Sequence, residues 1–541
     1  MTPPASRTLG GLLDEMAAAR PAAEAIVYRG RRWSYGELAA HADGMARALL
    51  AAGVGRGDRV AVLLGNRPEW LFTLFGAARI GAITVGVSTF STPRELAWTL
   101  DHARPRVLVT VDVFRGRDHL AALYEIVPEL ARCGPGGLAS DRLPELSTVV
   151  AVGDRRHDGL YRFDDFVARA TGVRDAAAAA ARAAVTPDDH CCVLYTSGST
   201  ATPKGVTLAH RGVIENGFAI GERQHLSAGD RLWLAVPLFW SFGSVNALPA
   251  ILTHGGTIVL QDAFEPGEAL ALLDGERCTV YYGMVNMARA MLEHPDRRRA
   301  RLDRMRTGLT IGLPEDIALT MDAVGARELC NVYGSTETYG NCAVTDAGDP
   351  RDLRLTTQGL PLPGMDIRVV DPASGNAVPR GEAGEFRVKG YTTPGYFRDP
   401  DATRAAFDAD GYFATGDLGL IGDDGRVRFR GRLKEIIKTG GVNVSPLEVE
   451  AVLIGHPAIK QAHVVGVPDR VKGETVVAAV ELHAGATAGA GTIVAFCRER
   501  LASYKVPARV EFRAADQFPR TPTGKINKPE LRAQLSRPAD S

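Results

Sequence analysis

Short runs rich in β-branched residues alternate with helical patterns between residues 60 and 333, and this alternation limits the possible folds of the 541-residue chain more than any other feature. The run Val60–Leu64 precedes an apolar helical stretch. The run Ile83–Val87 precedes a stretch in which Thr92 and Glu95 have the spacing of a helix capping box. Strands that alternate with helices form parallel sheets covered by helices. The sequence therefore predicts an α/β fold with mostly parallel sheets.

The alternation resumes after residue 190 and then gives way to strands. The later runs are Cys191–Tyr195, Leu232–Leu238, Thr257–Gln261, Cys278–Gly283, Gly308–Gly312 and Glu328–Gly334. Beyond them, the segments MDIRVVD, GEFRVKG and GRVRFRG predict antiparallel hairpins, because glycine-containing stretches separate them. These hairpins would form a small β-rich subdomain at the end of a large domain.

A second compact unit, of α+β type and about 110 residues, is predicted to begin near Arg432. Ser445 and Glu448 have capping-box spacing and predict the start of a helix there. The segments QAHVVGVPD and ETVVAAVEL predict strands. The chain is therefore expected to consist of a large N-terminal domain and a small C-terminal one.

Composition excludes several classes of protein. Lysine and arginine together number 63, as do aspartate and glutamate, so there is no net charge to attract nucleic acid. A hydrophobic fraction of 45% excludes wholesale disorder. No apolar run approaches 18 residues, so we expect no membrane span and a cytoplasmic protein. The seven cysteines include no CxxC pair, which favours buried thiols over disulfides or a zinc site.

The segment YTSGSTATPKGV, residues 195–206, is the strongest local signal for ligand binding. It follows a predicted strand and precedes a helix predicted to start near Leu208. Backbone N–H groups and hydroxyls in such a loop donate to phosphate, and Lys204 adds a positive charge. The loop is not a Walker A motif, because Lys204 precedes Gly205. The alternative to phosphate binding is an ordinary polar turn.

Other segments carry side chains that suit a nucleotide but do not decide the matter alone. In VYGSTET, Tyr333 can stack on a base and Glu337 can bind Mg²⁺, although a simple strand end is an equal alternative. In TGDLG, Asp417 can accept from ribose hydroxyls, although this is also an ordinary turn sequence. Arg432 can donate to phosphate or ribose. Lys525 lies in PRTPTGKINK, where an isolated lysine is normally a solvated surface residue.

Five segments closely resemble, in their order and spacing, the motif series of the adenylate-forming superfamily. They are YTSGSTATPKGV, VYGSTET, TGDLG, GRLKEIIKTGGVNVSPLEVE and PRTPTGKINK. The superfamily contains acyl-CoA synthetases, firefly luciferase and peptide-synthetase adenylation domains. The resemblance covers nearly the whole chain. It implies an N-terminal domain of residues 1–431, a hinge at 432–434 and a mobile C-terminal domain of 435–541. It also implies two steps: a carboxylate attacks the α-phosphate of ATP, and a thiol then displaces AMP from the acyl-adenylate after the small domain rotates.

The resemblance also implies roles for individual residues. Lys525 would bridge the carboxylate and α-phosphate oxygens, Thr336 would contact the α-phosphate, and Glu337 would bind Mg²⁺. Lys434 takes the hinge position. The nucleotide site would comprise Thr196, Ser197, Gly198, Ser199, Thr200, Ala201, Lys204, Gly312, Leu313, Pro314, Asn331, Tyr333, Gly334, Ser335, Asp417 and Arg432. The acyl pocket would comprise Trp240, Phe242, Val245, Asn246, Tyr282, Gly283 and Met284. The pantetheine tunnel of coenzyme A would comprise Lys438, Thr439, Gly440 and Gly441.

The chain departs from the superfamily pattern at two positions. Ala201 stands where the phosphate loop normally has glycine; a left-handed backbone there would cost a non-glycine residue about 1 to 2 kcal/mol, and a Cβ facing the phosphates would add a clash. Trp240 stands where many relatives have histidine, and its bulk would fill or gate the acyl pocket. The first departure leaves two hypotheses for the true substrate: the free acid, or an acyl-adenylate supplied by a separate partner enzyme.

The resemblance implies an acid–thiol ligase, an acyl-CoA ligase that uses ATP, Mg²⁺ and coenzyme A. Its acid is expected to be hydrophobic, because the implied pocket is mostly apolar. Two alternatives remain open: a freestanding adenylation enzyme that loads a carrier protein, although WSFGSV lacks the aspartate of aminoacylating relatives, and a lapsed nucleotide-binding protein, which only Ala201 supports. A hydrolase is excluded because no GxSxG segment is present, and a Rossmann dehydrogenase because Gly53, Gly55 and Gly57 have the wrong spacing.

Overall fold

The computed structural model describes residues 2–196, 203–439, 442–521 and 525–536. Contacts divide the chain into two compact units. The larger unit holds Met1–Asp366 and Val388–Phe413, and the smaller holds Ile367–Arg387 and Ala414–Ser541. The predicted domain division after residue 431 lies inside the smaller unit, and the hinge at 432–434 stays a prediction.

Helices occur throughout both units. The α-helices span Leu9–Ala19, Tyr35–Ala51, Pro68–Arg79, Pro93–Ala103, His119–Ile126, Phe163–Ala168, Asp175–Ala183, His210–Arg223, Leu248–Thr253, Pro266–Gly275, Val285–Glu293, Pro314–Val324, Arg351–Thr356, Pro400–Ala406, Pro446–Ile454, Ala490–Arg498 and Lys528–Leu535. Short 3₁₀ turns span Pro128–Arg132, Arg169–Gly172, Pro295–Arg298, Thr336–Thr338, Leu433–Glu435, Ser503–Lys505 and Ala515–Gln517, and a π turn spans Phe242–Ala247.

Nine of the described strands form the first sheet of the larger unit. In spatial order they are Leu360–Pro361, Ala343–Val344, Glu328–Tyr333, Thr307–Thr310, Val280–Tyr282, Arg231–Leu234, Thr257–Leu260, Glu24–Tyr28 and Arg31–Ser34. Six consecutive strands, from Glu328–Tyr333 to Glu24–Tyr28, run parallel. Because parallel strands end at one edge, the residues that follow Val280–Tyr282, Thr307–Thr310 and Glu328–Tyr333 come close together. The predicted mostly parallel sheet is confirmed.

Eight described strands form the second sheet of the larger unit, and a two-strand ribbon pairs Val113–Phe114 with Arg117–Asp118. In spatial order the eight are Gly395–Tyr396, Lys204–Ala209, His190–Thr196, Ile83–Gly86, Arg59–Leu63, Val107–Thr110, Thr148–Ala151 and Leu160–Arg162. Apolar side chains of its strands, such as Val85 and Leu108, pack against Leu100 and Leu123 of the covering helices. This core holds the strand ends in place.

The helix predicted to start near Leu208 is present and begins two residues later. Thr196 lies opposite Lys204 in two antiparallel strands, and the helix begins only at His210. Val206 and Thr207 are buried in the sheet, and β-branched side chains favour extended backbone. The predicted phosphate-binding segment therefore connects two strands of a hairpin.

Asn66 joins the two sheets of the larger unit. It follows a strand of the eight-stranded sheet, and its Nδ2 donates to the carbonyl oxygens of Leu234 at 3.3 Å and Val236 at 3.0 Å. Its Oδ1 accepts from the N–H of Leu238 at 2.8 Å. These bonds fix the segment that leads from the nine-stranded sheet into the predicted acyl pocket.

The smaller unit is built mainly on two further sheets. One contains, in spatial order, Asp366–Val370, Gly384–Lys389, Phe413–Ile421 and Val427–Arg432. The other contains Val442–Val444, Ile437–Thr439, Gly473–Leu482 and Ile459–Asp469, with Arg509–Phe512 parallel to Gly473–Leu482. The TGDLG segment lies within the strand Phe413–Ile421, where Asp417 pairs with Arg432 of the neighbouring antiparallel strand.

The two predicted capping boxes have different outcomes. At Thr92 the box is present: the Thr92 N–H donates to Glu95 Oε2 at 2.8 Å, and the Glu95 N–H donates to Thr92 Oγ1 at 3.3 Å. At Ser445 the prediction is wrong, although a helix does start there. The Ser445 hydroxyl donates instead to the carbonyl of Arg430 at 2.5 Å, and Glu448 forms an ion pair with Lys505 at 2.5 Å. Tertiary contacts thus replace the local cap.

Two further expectations concern cysteines and membrane spans. All seven cysteines are free thiols, and all except Cys133 are buried. No helix within the described ranges is long and apolar enough to cross a membrane.

Candidate active site

Glu337 lies in the 3₁₀ turn Thr336–Thr338, which follows a central strand of the nine-stranded sheet. Its carboxylate accepts a hydrogen bond from the hydroxyl of Tyr396, with Oη and Oε1 3.1 Å apart. Its carbonyl oxygen accepts from the N–H of Thr393 at 2.6 Å. The ammonium of Lys204 lies 4.5 Å from the centroid of the Tyr396 ring, within range of a cation–π contact. The structure therefore brings together two predicted site residues through Tyr396, which the sequence reasoning missed.

The eight-stranded sheet positions Tyr396 and Lys204. Tyr396 lies opposite Val206, two residues beyond Lys204 on the neighbouring antiparallel strand. Burial, followed by the charge of Glu337, raises the pKa of Tyr396. The phenol is therefore neutral and donates a hydrogen bond to the carboxylate, while the face of its ring attracts the ammonium of Lys204.

Thr336 links this turn to the predicted acyl pocket. Its hydroxyl donates to Ser241 Oγ at 3.1 Å. Ser241 directly precedes the π turn Phe242–Ala247 and was not predicted as a site residue. One hydrogen bond thus joins the segment proposed for the nucleotide to the segment proposed for the acid.

The backbone around Gly334 is tightly packed. A Cβ at Gly334 would lie 2.5 Å from both the Cα of Asn341 and the carbonyl oxygen of Gly340, so a larger residue would force the turn apart. The Ser335 N–H donates to Thr338 Oγ1 at 2.9 Å, and Tyr333 before it is buried. This packing fixes the orientation of the residues that follow the strand.

The predicted acyl-pocket residues of the π turn contact the end of a neighbouring strand. The rings of Phe242 and Tyr282 have centroids 5.2 Å apart, and the Tyr282 hydroxyl lies 3.3 Å from Asn246 Oδ1. Val245 is buried. A π turn widens the helix by one residue and is frequent at functional sites. The structure thus brings four of the predicted pocket residues together.

Aromatic side chains and a tight backbone surround the remaining pocket residues. Trp240 has its ring centroid 6.4 Å from that of Phe90, which was not predicted. A Cβ at Gly283 would lie 2.5 Å from the Tyr281 ring, whose hydroxyl donates to the carbonyl of Met284 at 3.1 Å. Both Gly283 and Met284 therefore have restricted backbone positions.

Two other predicted parts of the nucleotide site have mainly structural contacts. Asn331 is buried; its Nδ2 donates to the carbonyl of Thr357 at 2.9 Å, and its Oδ1 accepts from the N–H of Val332 at 2.8 Å. Gly312 and Leu313 form the turn before the helix Pro314–Val324. Asn331 and the turn of Gly312 and Leu313 lie at the same sheet edge as Glu337.

Two predicted residues, Asp417 and Arg432, meet within the smaller unit. Arg432 Nε lies 3.3 Å from Asp417 Oδ1, and Asp417 is buried. Desolvation, followed by the positive charge of Arg432, lowers the pKa of Lys525, although the residue as a whole is exposed. Asp417 of TGDLG and Arg432 of GRLKE are thus adjacent, and the charge of Arg432 acts on Lys525.

The predicted hinge and tunnel residues occupy adjacent short elements. Lys434 lies in the turn Leu433–Glu435, and Lys438 and Thr439 lie in the strand Ile437–Thr439. The Lys438 N–H donates to Glu474 Oε2 at 2.8 Å. Seven predicted residues lie outside the described residues, namely Ser197, Gly198, Ser199, Thr200, Ala201, Gly440 and Gly441.

No group of three or more His, Cys, Asp or Glu side chains in the described part of the chain could hold a metal ion by itself. Glu337 still suits Mg²⁺, because this ion is commonly bound by one or two carboxylates together with substrate phosphate oxygens. The hydrogen bond from Tyr396 to Oε1 orients the carboxylate. The residues present therefore fit a metal that arrives with a nucleotide.

Comparison with known proteins identifies the family. The AMP-binding enzyme family matches residues 13–397, and the AMP-binding enzyme C-terminal domain matches residues 448–525. The chain belongs to the AMP-binding enzyme family. The resemblance to adenylate-forming enzymes is thereby confirmed, together with the fold class.

Individual relatives narrow the reaction class. The chain is 36% identical over 531 residues to the putative acyl-CoA synthetase YngI of Bacillus subtilis (97% of this chain, 96% of YngI). It is 33% identical over 523 residues to 3-[(3aS,4S,7aS)-7a-methyl-1,5-dioxo-octahydro-1H-inden-4-yl]propanoyl:CoA ligase of Rhodococcus jostii (92% and 96%). The crystal structure of the anthranilate CoA ligase AuaEII with anthranoyl-AMP superposes with a TM-score of 0.85 at 26% identity, covering 97% of each chain. This AMP-binding enzyme is therefore an acid–thiol ligase of the acyl-CoA ligase family.

Proposed function

We propose that this enzyme makes a coenzyme A thioester from a hydrophobic carboxylic acid through an acyl-adenylate. The observation that carries the proposal is the contact set at the end of the nine-stranded sheet. There, Tyr396 contacts both Glu337 and Lys204, and Thr336 donates a hydrogen bond to Ser241, next to the acyl-pocket segment. We infer that the carboxylate of Glu337, the ammonium of Lys204 and the hydroxyl of Thr336 would face the acid and the phosphate during the reaction.

In the adenylation step, Thr336 would donate to the α-phosphate and Lys204 would attract the phosphate charge. Tyr333 would pack against adenine. Glu337 would bind Mg²⁺, which when present neutralises negative charge on the phosphate oxygens. These interactions orient the α-phosphate toward the carboxylate and stabilise the charge that builds there.

The smaller unit would supply the remaining groups. Asp417 would accept from ribose hydroxyls, and Arg432, 3.3 Å from it, would donate to the same sugar or to phosphate. Lys525 would stabilise the developing negative charge during adenylation. In thioester formation, Lys438 and Thr439 would line the passage for pantetheine, with Lys434 as the hinge.

The acid is proposed to be cyclic or aromatic. The partly exposed rings of Phe90, Trp240 and Phe242 contribute aromatic surface at the acyl segment, and such surface suits flat or fused rings. The R. jostii relative is named for a fused-ring propanoate, and AuaEII for anthranilate. We extend this class of acid to the present enzyme.

The proposal is tested by screening carboxylic acids in two separate half-reactions. Acid-dependent pyrophosphate release from ATP measures adenylation, and AMP release from a synthetic acyl-adenylate with coenzyme A measures thioester formation. We expect cyclic hydrophobic acids to be turned over and short polar acids to be poor substrates. No thioester from any acid or adenylate would contradict the proposed function.

A further inference from the structure

A chain of three buried polar side chains lies behind the predicted acyl pocket. Gln224 Nε2 donates to the hydroxyl of Tyr282 at 2.7 Å, and this hydroxyl lies 3.3 Å from Asn246 Oδ1. Gln224, Tyr282 and Asn246 have no exposed surface. Such a chain in an otherwise apolar region has a defined direction, because each member has a limited set of donors and acceptors.

The direction follows from the Tyr282 hydroxyl. Burial raises the pKa of Tyr282, so the group is a neutral phenol with one proton. Its oxygen already accepts a hydrogen bond from Gln224, so its O–H group donates one to Asn246 Oδ1. This requirement fixes the amide of Asn246, with Oδ1 toward Tyr282 and Nδ2 turned away from it.

The Nδ2 group of Asn246 is left without a hydrogen-bond acceptor among the described residues, although it is fully buried. The other end of the chain, Gln224 Oε1, is likewise unpaired within the same residues. An unmade hydrogen bond at a buried amide is unfavourable, so a ligand that supplies the acceptor gains affinity. Asn246 Nδ2 is thus a buried donor that a ligand oxygen could satisfy.

The position of Asn246 points to the acid as the source of that oxygen. Asn246 lies in the π turn that also carries Phe242, whose ring packs on Tyr282. A Cβ added to Gly340 would lie 3.0 Å from Asn246 Nδ2, and Gly340 follows the turn that holds Thr336. The donor therefore belongs to the acyl segment and lies next to Gly340, which follows the turn proposed to contact the α-phosphate.

We propose that Asn246 Nδ2 donates to a carbonyl oxygen in the apolar body of the substrate, so that the preferred substrate is a hydrophobic oxo acid. This inference rests on the proposed function. A ketone suits the site because it only accepts hydrogen bonds and is neutral. No charged side chain takes part in the Gln224–Tyr282–Asn246 chain, so a second carboxylate or an amine would be buried there without a partner.

The test uses pairs of non-hydrolysable acyl sulfamoyl adenosines that are identical except that one methylene is replaced by a ketone at successive ring or chain positions. Binding is measured by calorimetry, so the result does not depend on the adenylation rate. At one position the oxo analogue should bind roughly 10- to 100-fold more tightly than its parent, as expected for satisfying a buried donor.

Variants of Asn246 separate this role from simple packing. Asn246→Leu keeps a side chain of the same branched shape but removes the donor, so the ratio of the affinities for the oxo and parent analogues should fall to about one, whatever the change in the affinity for the parent. Tyr282→Phe removes the group that fixes the amide orientation, and should reduce the same affinity ratio without abolishing it.

The outcomes distinguish the inference from the proposed function. If no analogue binds at any position, the proposed function itself fails. If parent and oxo analogues bind equally at every position in the unaltered enzyme, the inference is overturned while the function stands. This comparison needs no variant, so it remains decisive even if Asn246→Leu does not fold.

Discussion

The hydroxyl of Tyr396 donates a hydrogen bond to the carboxylate of Glu337 across 3.1 Å, and the ammonium of Lys204 lies 4.5 Å from the centre of the same ring. One neutral aromatic side chain therefore contacts both an anion and a cation of the proposed site. It restrains the carboxylate without neutralising it, which leaves the charge of Glu337 for Mg²⁺.

Tyr396→Phe removes the donated hydrogen bond but keeps the ring beneath Lys204. Loss of a residue that orients a metal-binding carboxylate typically costs about 10- to 100-fold in metal affinity or activity. We expect the Mg²⁺ concentration for half-maximal adenylation to rise by that factor, and Mn²⁺ binding in the presence of ATP, followed by electron paramagnetic resonance, to weaken equally. Thioester formation from a supplied adenylate should be unchanged.

Tyr412→Phe is a matched control for this change. The Tyr412 hydroxyl donates to Asp366, and Lys389 Nζ lies 5.4 Å from its ring, so it has the same kinds of contact outside the proposed site. It should leave the Mg²⁺ dependence unaltered. An equal effect of both variants would show that Tyr396 acts only through stability.

Lys525→Ala should damage adenylation and spare thioester formation. The reason is that Lys525 is proposed to stabilise charge only while the carboxylate attacks the α-phosphate. We expect a fall of roughly 100-fold or more in acid-dependent pyrophosphate release, the usual size of effect for one electrostatic group of this kind. Lys505→Ala, which removes a lysine paired with Glu448, serves as the control. Similar losses in both half-reactions would refute the assignment.

Ala201→Gly should accelerate adenylation if alanine obstructs the phosphate loop. Backbone strain of about 1 to 2 kcal/mol corresponds to a roughly five- to thirty-fold handicap, and a clash with phosphate would add to it. Only the first step uses the β- and γ-phosphates, so thioester formation should not change. A normal rate of pyrophosphate release in the unaltered enzyme, with no gain from glycine, would show that the loop tolerates alanine and would remove the case for a partner enzyme.

His210 should make the larger unit sensitive to acid. Burial lowers the pKa of His210 from 6.5 to about 4, and its Nδ1 accepts a hydrogen bond from the Leu9 N–H at 3.2 Å. The unfolded chain therefore binds the proton more readily than the folded one. The contribution of His210 to the free energy of unfolding is therefore complete above pH 6.5. It declines as the pH falls towards 4, by about 3 kcal/mol in total.

Chemical denaturation of His210→Gln between pH 7 and pH 4 checks this expectation. The glutamine oxygen can still accept from Leu9 but does not titrate in this range, so the free energy of unfolding should depend less on pH by about 3 kcal/mol. Replacement of the exposed His483 by glutamine should leave the profile as it is. If the free energy of unfolding changes with pH equally in the unaltered enzyme, His210→Gln and His483→Gln, protonation of His210 does not destabilise the fold.

The sequence predicted the features that depend on local pattern or on motif order. Alternating β-branched and helical runs predicted the parallel sheets, and the Thr92 capping box was correct because both partners lie within one helical turn. The same spacing at Ser445 failed, because the carbonyl of Arg430 offered its hydroxyl a tertiary partner.

Contacts between distant segments could not be predicted in this way. Tyr396 lies 59 residues from Glu337 in the chain, and the two meet only because Tyr396 is on an edge strand of a different sheet. The bond from Thr336 to Ser241 spans 95 residues. No periodicity encodes such pairs, since they depend on how two sheets are joined through residues such as Asn66.

The chain passes from one compact unit to the other at three points, after Asp366, Arg387 and Phe413. A recombination event with a single crossover near residue 433 would therefore inherit the four-stranded sheet from one parent and the C-terminal residues from another. Arg430 and Ser445, which share a hydrogen bond, would then have different origins. When C-terminal regions are exchanged between members of this family, the chimeras should fold more often if residues 367–387 and 414–541 come from the same parent.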